Sequence, residues 1–202
     1  MPVELHASSA FSFLRGSSLP EDLVQRAAEL RIDTLALLDR DGVSGAPRFF
    51  KAARAAGIRP LVGAELTLKG GGCLPILVES REGYQRLCRL ITSMKAGVPK
   101  GQGALDLDGL EDDLPGLVAL PGLETLGSPP DTDRLARIIN VFGPDNVRID
   151  VQRHRRRERE AAHEALLDMA GSLGLTAVAT NGVRHATSRG RALFDAMTCI
   201  RE

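Results

Sequence analysis

The sequence predicts an α/β protein built on a mainly parallel sheet, wound open or closed as a barrel, and three observations lead there. Short apolar runs alternate with longer stretches that carry apolar residues at helical spacing. Runs such as Thr34 to Leu38 are nearly continuously apolar, as expected of strands covered on both faces. Polar knots then follow the runs, at His6 to Ser18, Leu38 to Gly42, Gly63 to Glu65, Gln152 to His154 and Asn181 to His185. Barrel and open α/β folds gather their sites at the carboxyl ends of successive strands, so these knots are where chemistry is expected.

Val3 to Leu5 is the first strand, and it delivers His6 and several serines into a loop containing Gly16. A helix starts at Pro20, with Ser18 as the expected cap, proline in the first turn, and Glu21 and Asp22 where the helix dipole favours acids. Thr34 to Leu38 is the second strand, ended by Asp39-Arg40-Asp41-Gly42. Ala46 to Ala56 reads as a helix stopped by Gly57, and Pro60 to Leu68 as a strand running into the Gly70-Gly71-Gly72 turn before Leu74 to Val78 returns. A helix from Arg81 to Met94 buries Tyr84, Leu87, Cys88, Leu90 and Ile91, and Lys95 to Gly109 is a loop. Strands over Leu117 to Leu120, Val147 to Val151 and Thr176 to Ala179 enclose helices over Asp131 to Phe142 and Arg156 to Leu173. The last helix, from Ser188, still shows apolar spacing at Glu202 with no Gly, Asn or Pro to close it, which is the expectation for a fragment of a longer chain.

With 202 residues and 43% hydrophobic content, the chain can bury one substantial core, so a single domain over 1–202 is expected. Lys+Arg and Asp+Glu both number 26, which removes any overall pull towards polyanions and counts against a pure nucleic-acid-binding module. Cys73, Cys88 and Cys199 stand far apart in no metal-like spacing, and reduced thiols in a cytoplasm are expected. No apolar run reaches the length of about 20 residues that spans a bilayer, so a membrane partner is not expected. The basic cluster Arg153-His154-Arg155-Arg156-Arg157 reads as an exposed helix start with Arg156 and Glu160 paired at i,i+4, since one Tyr and no Trp offer no stacking platform for bases. Gly70-Gly71-Gly72 is a turn, because no Lys-Ser or Lys-Thr pair follows to make a phosphate loop.

Taken bare, His6, Asp39, Asp41, Glu65, His154 and His185 at the strand ends have the chemistry of a multinuclear metal site, since imidazoles and carboxylates suit zinc, manganese or iron. Two or three such ions would clamp the attacking and leaving oxygens in phosphoester cleavage. Scattered His and Asp also cap loops and helices, and spacing alone leaves both readings open.

Six motifs in order then carry a resemblance that spans nearly the whole chain: Glu4-Leu-His6 with Ser9 to Leu14, Leu37 to Gly42, Gly57 to Glu65, Asp150 to His154, Ala179-Thr-Asn181, and Leu193 to Glu202. Together they resemble the amino-terminal PHP (polymerase and histidinol phosphatase) domain of bacterial family C DNA polymerases. Phe13-Leu-Arg-Gly16 is closer to the error-prone, damage-induced members than to the replicative ones. The resemblance implies a distorted seven-stranded (β/α) barrel of the PHP type, truncated at its C-terminal end, with a site for up to three metals at its carboxyl face. Where intact, that site holds a phosphoesterase or a 3′-5′ exonuclease.

This sequence departs from the family pattern at most ligands. The His-x-His motif is His6-Ala7-Ser8, and Arg15, Arg40, Gly182 and Arg184 stand where the family has ligands. Leu123 occupies the position of the soft ligand after the fifth strand. The resemblance leaves His6, Glu65 and His154 as a vestigial, unoccupied metal set, within a degenerate pocket of Ser8, Arg15, Asp39, Arg40, Asp41, Arg184 and His185. A guanidinium is always charged and cannot ligate. A divalent ion about 5 Å from one is opposed by several kcal/mol even at an effective dielectric of 20. The arginines are therefore expected to replace the cations and to pair with Glu65, Asp39 or Asp41, leaving no catalytic residue in this chain. What the resemblance implies for the parent is damage-tolerant DNA synthesis by a magnesium-dependent palm beyond Glu202, with the remaining polymerase domains, DNA and the sliding clamp as partners. The alternative is a metal-dependent PHP phosphoesterase or exonuclease.

Overall fold

A computed structural model of the chain describes residues 2–110, 114–154 and 156–201. In chain order the elements are β1 (Val3–Ala7), α1 (Pro20–Glu29), β2 (Thr34–Arg40), α2 (Ala46–Ala55), β3 (Arg59–Thr67), β4 (Cys73–Val78), α3 (Arg81–Lys95) and β5 (Leu117–Ala119). They continue with α4 (Leu123–Leu126), α5 (Thr132–Phe142), β6 (Arg148–Val151), α6 (Glu160–Ser172), β7 (Thr176–Ala179) and α7 (Ser188–Arg201). Two compact units result, one of residues 1–65 with 181–202 and one of residues 66–180.

In the first unit, β1, β2 and the start of β3 run parallel. β2 and β3 keep strict register from Thr34 opposite Arg59 to Arg40 opposite Glu65. β1 follows β2 from Val3 opposite Thr34 and slips between Glu4 and Ala7, where one extra residue enters the strand. One face of these strands is closed by α1 and α2: Leu35 and Leu37 pack with Ala7, Leu23, Val24, Ala27, Phe49, Ala53 and Ile58. Because strand side chains alternate, Arg40 turns to the face opposite Leu35 and Leu37, and the register places Glu65 beside it. His6 and Ser8 flank Ala7 and turn to that same opposite face.

In the second unit, β4 and β5 are antiparallel, Ile76 facing Ala119 and Val78 facing Leu117, whereas β6 and β7 are parallel from Arg148 opposite Thr176 to Val151 opposite Ala179. The apolar stripes of α3 (Leu87, Leu90, Met94), α5 (Leu135, Ile138, Val141, Phe142) and α6 (Leu166, Ala170) are buried, as are Leu74, Ile76, Leu117, Val147 and Ile149 of the strands and their ends. The Gly70-Gly71-Gly72 turn uses three consecutive positive φ angles, 83°, 99° and 80°, which explains why three glycines stand there. Leu68 N donates to Gly72 O across it.

Seven strands form where the sequence places them, and they ladder as five in the order β1-β2-β3-β4-β5 plus the pair β6-β7. The seam follows from local chemistry. β5 is three residues long and meets Val147, just before the next strand, through an isolated bridge from Ala119. Pro121, which has no N–H, cannot extend the ladder as a donor and instead accepts from Asp150 N.

Two local expectations are also revised. Leu19, not Ser18, is the N-cap of α1, and its N–H donates to Asp22 Oδ2, while Ser18 Oγ accepts from Ala186 N. The helix expected from Arg156 begins at Glu160 after a 3-10 turn over Arg157–Arg159, and Glu160 pairs with Arg153 at 2.7 Å rather than with Arg156. Among the described residues, no helix is long and apolar enough to cross a membrane.

Candidate functional site

Glu65, at the end of the paired part of β3, is the centre of a charged cluster in the first unit and is only 1% exposed. Arg184 grips it as a fork, with Nη1 3.1 Å from Oε2 and Nη2 3.2 Å from Oε1. Planar guanidinium and planar carboxylate match in this geometry, and two charge-assisted bonds share the load. Arg40 Nε lies 3.3 Å from Oε2 as a second ion pair, and His6 Nε2 lies 3.8 Å from Oε1. Burial pushes the Glu65 carboxyl up, but Arg184, His6 and Arg40 outweigh it and hold the group well below the usual carboxylate range.

The surroundings bind Arg184 in place. Its Nη1 also donates to Ser8 Oγ at 2.8 Å, and that hydroxyl donates in turn to Leu38 O at 2.8 Å. Backbone bonds from Ser8 N to Val183 O and from Val183 N to His6 O fasten the segment carrying Arg184 alongside β1. Glu4, two residues before His6, is a second buried carboxylate: it accepts from His6 N at 2.9 Å and from Asn181 Nδ2 at 2.6 Å.

Asp39 takes a different part from the one the sequence suggests. Its Oδ1 accepts from Ser9 N, Ser9 Oγ and Ser12 Oγ at 2.7, 3.0 and 2.8 Å. Burial raises its carboxyl above the ordinary value, and the bonds from Ser9 and Ser12 only partly offset that. Ser12 Oγ also accepts from Arg40 N at 2.9 Å. The loop after β1 is thus stapled to the end of β2, and Gly45 is required beside it because a methyl there would meet Asp39 Oδ2. Asp41 has φ 53° and contributes its backbone, N donating to Glu65 O at 3.0 Å. Arg15 is half-buried in the stapled loop, and His185 lies with its ring 6.3 Å from that of Phe194.

Of the three ligands expected to survive, His6 and Glu65 meet in the first unit, whereas His154 is an exposed loop residue of the second. Among the described residues, no three His, Cys, Asp or Glu side chains are grouped so as to hold a metal ion. The donor set around Glu65 does not fit one either. Both carboxylate oxygens are engaged by guanidinium groups, Ser8 Oγ is already donor and acceptor, and a divalent cation would sit against two fixed positive charges. Arg184 as the forked partner, and Ser9, Ser12, Glu4 and Asn181 as the holding groups, are the residues whose roles the sequence did not reveal. The Ser-x-x-Ser spacing of Ser9 and Ser12 just after a strand, and the alternation Glu4, His6, Ser8, were the available signals.

The sequence profile of the PHP domain matches residues 4–154, three quarters of the chain. The chain belongs to the PHP domain family. It is 35% identical to an error-prone DNA polymerase of Symbiobacterium thermophilum, over 98% of this chain and 21% of that protein. Error-prone DNA polymerases of Xanthomonas axonopodis pv. citri and Pseudomonas paraeruginosa are 37% and 39% identical, again over 98% of this chain and over 18% and 19% of theirs. This PHP chain therefore spans about a fifth of the length of those relatives. Among solved structures, a protein from Bifidobacterium adolescentis assigned as a metal-dependent phosphoesterase shares the PHP fold with a TM-score of 0.63 at 12% identity, covering 98% of this chain and 96% of that one. An amidohydrolase from Chromobacterium violaceum, with bound sulfate and no metal, follows at a TM-score of 0.60 and 17% identity, covering 92% and 88%.

Proposed function

We propose that this chain is the PHP-like domain of an error-prone family C DNA polymerase, and that it serves there as a structural, metal-free brace rather than a catalytic centre. The observation that carries the reading is the arginine cage: Arg184 and Arg40 occupy both oxygens of buried Glu65, the carboxylate that the family pattern would turn towards metal. Fixed guanidinium charges compensate the carboxylate permanently, whereas a bound ion does so only while it is loaded. Similarity to error-prone polymerases over 98% of the chain supports the parentage. In that parent, DNA synthesis across damaged template belongs to a magnesium-dependent module outside these 202 residues. DNA and a sliding clamp are partners of the whole protein, in the cytoplasm. Primer extension by the full chain tests the parentage: a protein containing residues 1–202 that extends no primer in the presence of magnesium and all four deoxynucleotides would overturn it.

A second reading has one specific observation behind it, the fold shared with a protein assigned as a metal-dependent phosphoesterase. Under that reading His6 and Glu65 would contribute to holding a metal for phosphoester or 3′-5′ exonuclease cleavage. Incubation with a phosphate monoester and with a primer end, each with added manganese or zinc, separates the two. The brace predicts no turnover, and turnover abolished by a chelator and by Glu65→Gln would establish the hydrolase.

A further inference from the structure

The charges of the basic run after β6 do not cancel as their i,i+4 spacing predicts. Glu160 is taken by Arg153 at 2.7 Å, and Arg159 Nη1 meets Glu124 of α4 at 3.3 Å. Two arginines of the run are thereby neutralised, and the two pairs tie the 3-10 turn Arg157–Arg159 between α4 and the start of α6. Arg156 and Arg157, between those two in sequence, are exposed. Among the described residues, neither of their guanidinium groups meets an acid or a hydrogen-bond acceptor.

Other features of the turn leave this charge standing. Glu158 follows Arg157 in sequence, but a 3-10 turn advances about 120° per residue, so the acid leaves on a different side. Helix α6 begins at Glu160 with no side-chain cap, and the positive end of its dipole adds to the same turn. Adjacent uncompensated guanidinium groups repel one another, and an anion that meets both relieves that cost. From Gln152 to Glu160 the sequence holds no apolar or aromatic residue. Unpaired bases would find no stacking platform there, and a lipid surface would receive no apolar side chain. What such a turn recognises is a run of phosphates on a duplex, by charge and without reading bases.

We infer that Arg156 and Arg157 form a contact for the phosphate backbone of duplex DNA, separate from the arginine cage around Glu65. This rests on the polymerase parentage proposed above, which supplies the duplex.

The test is the salt dependence of primer–template binding by the full polymerase chain, wild type against Arg156→Gln with Arg157→Gln. Each phosphate contact contributes about 0.9 to the slope of log K against log salt, so the slope should fall by about 1.8 in this double variant. Binding at 0.1 M salt should weaken at least about tenfold, alike for duplexes of different sequence. Both side chains are exposed, so the fold tolerates the change, and an unaltered melting curve verifies this. Arg156→Lys with Arg157→Lys keeps both charges and should keep the slope, and loss of the slope in that variant would count against a phosphate contact. Lys51→Gln with Arg54→Gln, at exposed positions on α2, removes the same charge elsewhere and should leave the slope unchanged. An equal fall in that control, or a wild-type slope in Arg156→Gln with Arg157→Gln while primer extension is intact, overturns the contact alone. A wild type that neither binds the primer–template nor extends it overturns the parentage and the inference with it. Binding of poly-glutamate that the Gln variant abolishes, at unchanged duplex slope, would assign the turn to an acidic polypeptide and overturn the proposal.

Discussion

Removing Arg184 should unfold this protein far more readily than its partial exposure suggests. Arg184→Met keeps the apolar stem and deletes the fork that spans both oxygens of Glu65, a carboxylate 1% exposed. Breaking a buried pair from one side costs about 3–5 kcal/mol, because the remaining charge stays buried. Arg40 is left behind at 3.3 Å, and the Arg184 side chain is itself 23% exposed, so the loss belongs at the low end, about 3 kcal/mol. With a urea dependence of about 2 kcal/mol/M, the denaturation midpoint should fall by about 1.5 M. Arg40→Met removes an ion pair to Glu65 but leaves the Arg184 fork in place, so it should cost less, about 1–2 kcal/mol. Adding Glu65→Gln to Arg184→Met should recover at least half of the loss, since no uncompensated charge then remains. Urea titration of the wild type, the single variants and the double variant gives the coupling free energy directly. A coupling indistinguishable from zero, or an Arg184→Met midpoint within error of the wild type, would refute the cage.

Acid titration probes the same cluster through its sign. Glu65 is held below its ordinary value of 4.5, so its contribution is fully present above that pH and is lost only as pH falls through the depressed folded value. Without Arg184 the largest of the lowering influences on Glu65 is gone, so the acid-unfolding midpoint of Arg184→Met should move to higher pH. Asp39 has the opposite sign: raised above 3.8, it binds its proton more tightly when folded, so stability declines as pH rises from 3.8 through the raised value, and Asp39→Asn should remove that descent in stability measured at stepped pH. Gly16→Ala should destabilise by about 1–3 kcal/mol in a thermal or urea melt, because the new methyl meets the Ser9 backbone rather than a side chain that can move.

The strands and helices were legible because periodicity and turn chemistry are local. Thr34 to Leu38 reads as a covered strand from its own composition, and Gly70-Gly71-Gly72 announces its positive φ angles. The five-plus-two grouping was not legible, since it depends on a three-residue strand followed by Pro121, whose missing donor matters only once the neighbouring strand is known. At the site, the arginines showed in the sequence, as did Glu65 as a partner for them. Which arginine grips in a fork did not, because Arg184 meets Glu65 across 119 positions. Asp39 misled for a related reason: a carboxylate after a strand looks like a ligand until the serine hydroxyls 27 and 30 positions earlier are seen to occupy it.

Calorimetric titration of zinc and of manganese into the purified 202-residue chain, with Glu65→Gln as the control, tests the replacement of metal by arginine most directly. The cage predicts no saturable binding of either ion to wild type or control. Binding of about one or more ions per chain, lost in Glu65→Gln, would contradict it.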